Sequence, residues 1–419
     1  MNKRLLALFI VIAMLAGLLT ACVGQADPPP AIEPTAEPPV APVAGPEPLP
    51  ADWAGTIDQA IFRFSEALFR ETLAMGEENP VLSPLSAYYV LAMVALGAEG
   101  ETRAEFEAVL GLDPETLAAE LRTLSHALMN TSGSTNLNIA GSIWTADGFT
   151  IAPDFAQAMQ TYFDAPAHTR DFAAEATVDE INAWVYERTE GLIEELIQSI
   201  GRDEVMLLIN TLYFSAKWAQ DMNPMTEFPG QFRPEIGSLV EVPFLSTGTR
   251  RLAVSVTDTF EAVLLPYDDD RLGLLLVRPR DGTSVRDFAV AHDLNEIIAG
   301  LAVRDEVQVR MPRLDLEFEL ELNALLQTLG LKSAFSDLAD LSGLLEDDER
   351  LRISRVLQKV RLIVDEEGTE AAAATVVGIE PLSIPLNLIE LTFDTPYLYI
   401  IYDRRTGIPL FMGVIDNPA

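Results

Sequence analysis

Three histidines (His126, His168 and His292), one cysteine (Cys22) and 64 carboxylates are the side chains of this 419-residue chain that could hold a metal or move a proton. Their spacing argues against both. H-D-L-N-E at His292 lacks the second histidine that H-E-x-x-H presents to zinc, and a single cysteine rules out C-x-x-C. No G-x-S-x-G elbow exposes a nucleophilic serine, and no G-x-x-x-x-G-K or G-x-G-x-x-G cradles a phosphate. Acidic runs such as Asp268–Asp270 and Asp347–Glu349 read as solvated loops, and Trp184 and Trp218 stand in apolar blocks as core residues do. The chain reads as a non-enzyme that needs no cofactor.

What remains is chemistry done to the chain. The run from Glu366 to Ser383, E-E-G-T-E-A-A-A-A-T-V-V-G-I-E-P-L-S, has the alternation of a strand and the composition of a loop. At a two-residue period one face holds Thr369, Ala371, Ala373, Thr375, Val377 and Ile379, all small or apolar. The other holds Glu370, Ala372, Ala374, Val376, Gly378 and Glu380, where both charges fall. Such sorting suits a strand with one face on a core and one in water. Gly368, four successive alanines and Pro381 suit a permanent strand poorly. On these residues alone two readings stay open: a loop that can become a strand, or an Ala-rich linker or short helix.

The elements around this run follow from periodicity. Thr56 can cap a helix with Ile57, Ile61, Phe64, Leu68 and Leu73 on one side. Ala87 to Leu96 reads as a buried helix, Gly97 and Gly100 bracket its end, and Thr102 can cap the next. Pro114 to Asn130 and Pro153 to Phe163 read as helices opened by proline. Strands are expected over Asn136–Thr145, Glu204–Ser215, Ala262–Leu265, Gly273–Arg278, Glu306–Arg310 and Leu391–Tyr402. Helices first and strands later make a mixed α+β domain.

The amino-terminal segment stands apart. Lys3 and Arg4 precede an apolar run from Leu5 to Leu19, closed by L-T-A-C, which reads as a secretion signal over residues 1–21. L-T-A-C resembles a bacterial lipobox, which implies cleavage before Cys22, acylation of its thiol and a lipid anchor in the cell envelope. Residues 28–50 contain ten prolines, so 22–50 reads as an extended spacer and 51–419 as one domain outside the cytoplasm. The net charge of −36 repels nucleic acid and anionic headgroups.

Five blocks in order resemble the serpin family. They are N-P-V-L-S-P-L-S-A-Y-Y-V-L-A-M-V-A-L-G-A-E-G-E-T (Asn79 to Thr102), I-N-A-W-V-Y-E-R-T-E-G-L-I-E-E-L-I (Ile181 to Ile197), N-T-L-Y-F-S-A-K-W (Asn210 to Trp218), G-T-E-A-A-A-A-T (Gly368 to Thr375), and the closing F-D-T-P-Y-L-Y-I-I-Y-D with P-L-F-M-G-V-I-D-N-P. The resemblance implies three β-sheets, about eight or nine helices and an exposed reactive-centre loop hinged at Gly368–Thr375. It implies a helix crossing the main sheet over Ile181–Ile197. With Glu366 ending the strand before the loop, the family's spacing puts the reactive bond at Leu382–Ser383. Ser83, Ser86 and Asn210 match the shutter beneath the main sheet and Trp218 the breach above it. Gln358 stands where the family often has histidine. The implied activity is irreversible inhibition, by a monomer, of chymotrypsin-, elastase- or subtilisin-like serine proteases with an apolar primary pocket. A non-inhibitory surface binding protein and an inhibitor of cysteine proteases are the alternatives. Heparin-binding members carry basic residues around their fourth helix, whereas Pro114–Asn130 offers only Arg122 and His126, so heparin is not expected.

Overall fold

Residues 56–225, 230–269, 271–280, 282–346, 349–369 and 387–419 are described by the computed structural model. Among the described residues the first element is helix α1 (Thr56–Ala74), whose Ile57, Ile61, Phe64 and Leu68 are buried, as their spacing predicts. Strand β1 (Val81–Leu82) leads to α2 (Pro84–Ala95), in which every side chain is buried. Ser83 caps this helix by accepting the Ser86 N–H at 3.3 Å, and Pro84 occupies its first turn. Helices α3 (Gly100–Leu110) and α4 (Pro114–Met129), strand β2 (Asn136–Ala146), α5 (Pro153–Phe163), β3 (Ala167–Arg170) and α6 (Glu175–Arg188) complete the first half.

Strands then dominate: β4 (Met206–Lys217), β5 (Asn223–Pro224), β6 (Gly230–Phe232), β7 (Val240–Val242), β8 (Phe244–Val256), β9 (Phe260–Pro266) and β10 (Leu272–Pro279). After α7 (Val285–Ala291) and α8 (Leu294–Ala299) come β11 (Ala302–Pro312), β12 (Leu314–Glu321), α9 (Asn323–Leu329), β13 (Arg355–Val364), β14 (Gly368–Thr369), β15 (Ile389–Thr392), β16 (Tyr397–Asp403) and β17 (Pro409–Ile415). Among the described residues these strands form three sheets. One has six strands in the order β12-β13-β14-β4-β2-β3, one has nine strands built around β8–β11, β16 and β17, and β6 pairs β7 alone. Helix α2 packs against β4 of the first and β17 of the second, which is why it is apolar all round.

Four local expectations are corrected. The helix expected over Ile181–Ile197 ends at Arg188, because the Thr189 hydroxyl turns back to the Val185 carbonyl and accepts the Ile193 N–H. Glu190 and Gly191 then take positive φ angles of 51° and 86°, and the non-helical return lays Ile193, Leu196 and Ile197 on Leu207, Ile209 and Leu357. Thr102 is not a cap. It lies inside α3, buried, accepting the Asp340 N–H at 3.0 Å. Leu391–Tyr402 is two strands, since the chain leaves the edge of β11 at Thr392 and turns through Phe393–Pro396 to pair with β10. Asp269 is not a solvated loop residue. Only 4 % exposed, it accepts the Arg271 and Leu272 N–H groups and the Thr135 hydroxyl.

Candidate functional site

Strands β4 and β13 run parallel and paired for only four residues, from Leu207 opposite Arg355 to Asn210 opposite Gln358. Past that point, among the described residues, they are not paired with each other. The next partner of β4 on this side is β14, with Thr369 opposite Ala216 and Gly368 opposite Lys217. Residues 211–215 of one strand and 359–363 of the other therefore flank an opening in the middle of a sheet, closed at both ends. Unpaired strand edges of this kind are templates for another strand.

The closed lower end is a buried polar network. Gln358 Oε1 accepts the Ser83 N–H at 2.9 Å, and its Nε2 faces the Ser83 carbonyl at 2.8 Å, Ser86 Oγ at 2.9 Å and Asn210 Oδ1 at 3.0 Å. Ser86 Oγ donates to Asn210 Oδ1, and Asn210 Nδ2 donates to the Leu357 carbonyl across the two strands. Ser83, Ser86, Asn210 and Gln358 thus meet in one network, in which the glutamine both donates and accepts. Gln358→Ala would strand several of these buried groups. The expected loss is about 2–4 kcal/mol of unfolding free energy, read from the shift in urea midpoint at constant slope.

The upper end is aromatic. Trp218 is buried and stacks on Tyr267, with ring centroids 4.9 Å apart and planes 8° from parallel. Its indole N–H donates to the Asp365 carbonyl at 2.9 Å and its backbone N–H to the Glu367 carbonyl at 2.8 Å. Strand β13 turns here: Asp365 N–H donates to the Gly368 carbonyl, and Asp365 Oδ1 accepts the N–H groups of Glu367 and Gly368. Burial holds the Asp365 carboxyl above the usual carboxylate range, with these two donors acting in the opposite sense. Glu366 pairs with Arg313 at 2.9 Å and Glu367 faces Lys217 at 3.9 Å. Gly368, a poor strand residue by composition, is here because β4 passes too close for a side chain.

Trp218, Gly368 and Thr369 therefore belong to one constellation. Glu370, Ala371, Ala372, Ala373, Ala374, Thr375, Leu382, Ser383 and Cys22 lie outside the described residues. Tyr267, Asp365 and Arg313 were missed by sequence reasoning. D-E-E-G at Asp365–Gly368 carried a legible signal, an Asx-turn closed by glycine. Tyr267 carried none, since only the fold brings its hydroxyl 2.7 Å from that of Thr369. Among the described residues no three His, Cys, Asp or Glu side chains gather as metal ligands would.

Comparison with known proteins covers this whole region. The family model described as Serpin (serine protease inhibitor) matches residues 59–418. Human neuroserpin is 29 % identical over 378 residues, spanning 86 % of this chain and 92 % of its own. An uncharacterized serpin-like protein of Thermococcus kodakarensis is 31 % identical over 370 residues, spanning 86 % and 85 %. Among solved structures, the thermophilic serpin tengpin in its native state superposes with a TM-score of 0.79 at 28 % identity, over 89 % of this chain and 97 % of that one.

Proposed function

Because the chain belongs to the serpin family, a family of protease inhibitors, we propose that it is an irreversible, suicide-substrate inhibitor of serine endopeptidases with an apolar primary pocket. The opening in the six-stranded sheet, with the hinge already at its upper end, is the observation that carries this reading. A protease serine attacks the Leu382 carbonyl, the Leu382–Ser383 bond breaks, and Leu382 stays esterified to the enzyme. The freed segment extends the seated pair down the opening. Continuing the register of Gly368 and Thr369 would set Ala371 opposite Phe214 and Ala373 opposite Leu212. Thr375 would then arrive opposite Asn210 and Gln358 together, the pair that now closes the sheet.

The small uncharged residues on the inserting face fit this path, since they enter first and must do so before water hydrolyses the ester. Roughly ten new backbone hydrogen bonds at about 1 kcal/mol net each make insertion one-way. The test is to cut the loop with a protease that is not trapped and compare unfolding temperatures. The cleaved chain is expected to unfold on the order of 10 °C or more above the intact one. An unchanged temperature would mean that the cut loop does not enter the sheet.

The same proposal places the domain on a tether. Cleavage before Cys22, acylation of its thiol and the Pro-rich stretch to residue 50 would hold residues 51–419 off an envelope membrane. Cys22→Ala is expected to move the protein from the membrane to the soluble fraction. Unchanged fractionation would contradict the anchor.

A further inference from the structure

Starting a strand and lengthening one are different problems. The first residues of a new strand must be fixed before any hydrogen bond repays them, whereas each later residue adds to an existing ladder. In the uncleaved chain Gly368 and Thr369 have already been fixed. Thr369 lies between Val364 and Ala216, only 2 % exposed, and a Cβ on Gly368 would overlap the carbonyl oxygen of Ala216. Besides the strand pairing and the Asp365 bond to the Gly368 N–H, a buried aromatic cluster meets this pair, in which the Tyr399 hydroxyl joins those of Tyr267 and Thr369. The Tyr267 hydroxyl lies 2.7 Å from Thr369 Oγ1, and the Tyr267 ring stacks on Trp218, which itself donates to both Asp365 and Glu367 of the turn. Burial holds the phenol far above its usual range, so it remains a neutral hydroxyl able to donate or accept.

We propose that Tyr267 is a positioning residue that keeps the hinge seated in the intact chain and thereby sets how often insertion outruns hydrolysis of the acyl bond. The proposal rests on the inhibitor reading above. Insertion in this chain is then extension from Thr369 onward, and loss of the seat returns it to the slower task of starting a strand.

The variant that isolates the contact is Tyr267→Phe, which removes one hydroxyl and leaves a ring to stack on Trp218. Gly368→Ala tests the same seat from the opposite side, by overlap with β4. Two measurements on the whole uncleaved chain decide the matter: amide hydrogen exchange over Glu367–Thr369 and at Trp218, and the number of inhibitor molecules consumed per protease molecule trapped. Exchange should be slow in the native chain and at least tenfold faster in both variants. Consumption should rise at least threefold in both, with no slowing of loop cleavage. A purely structural role would lower the unfolding midpoint and leave consumption unchanged. Fast exchange in the native chain overturns the inference, as does native exchange or native consumption in Tyr267→Phe. If the native chain traps no protease, the inhibitor reading fails by itself, and the role assigned to Tyr267 in partition fails with it. Exchange would then report only whether Tyr267 holds the hinge.

Discussion

Thr369→Arg is expected to turn a trap into a substrate. Thr369 is the first residue of the alternating uncharged face, and its hydroxyl is buried against Tyr267 between β4 and β13. An arginine there would have to bring its guanidinium into the buried space where Thr369 now meets Tyr267, and a charge buried without full pairing costs several kcal/mol. Every 1.4 kcal/mol added to the insertion barrier slows it about tenfold. Insertion should therefore fall at least about a hundredfold while deacylation keeps its own rate, so that hydrolysis wins. Cleavage at Leu382–Ser383 should continue, and the stable complex should disappear. A variant that still traps protease at the native ratio would show that Thr369 is not the entry residue. Thr369→Ser, which keeps the hydroxyl, should retain trapping.

The second large effect concerns which enzyme is trapped. A protease reads the side chain before the cut most strongly, and leucine suits a deep apolar pocket. A pocket built around a carboxylate for arginine or lysine would gain no ion pair from Leu382 and would leave its own charge poorly satisfied. Chymotrypsin-like enzymes should be inactivated at least about a hundredfold faster than trypsin-like ones, a difference of roughly 3 kcal/mol in transition-state stabilisation. Leu382→Arg should reverse that order without lowering the fraction trapped, because on the proposed mechanism the residue is the one esterified to the enzyme and not part of the face that enters the sheet. Second-order inactivation rates against one enzyme of each kind provide the check. Equal rates for the native chain would move the reactive bond away from Leu382.

Much of the machinery was legible before any coordinates, for identifiable reasons. S-P-L-S at Ser83–Ser86 marks a capped, proline-opened helix start, and the apolar run after it is too continuous for a surface helix, which places it between layers. Ser83, Ser86, Asn210 and Gln358 were legible as a group only through the family resemblance, and the fold brings them into one buried network. What stayed hidden depends on tertiary contact. The crossing helix stops at Arg188 because the Thr189 hydroxyl and a positive φ at Glu190 outweigh an otherwise regular pattern. The strand after Leu391 is broken by a change of partner from β11 to β10, which periodicity does not record. Tyr267 looks like the ordinary end of an apolar strand until the fold sets it beside a residue far along the chain. Gly368 looked like a strand breaker, and it sits in a strand for the same reason, the absence of a side chain.

The central claim is that cleavage and trapping are one event, and a single mixture tests it. Residues 51–419 are incubated with chymotrypsin-like protease at equal molarity, boiled in detergent and separated by size, and the released carboxy-terminal peptide is weighed. The account predicts a covalent species with the summed mass of enzyme and inhibitor less that of one released peptide, and that this peptide begins at Ser383. Complete cleavage with free, active protease and no such species would contradict it.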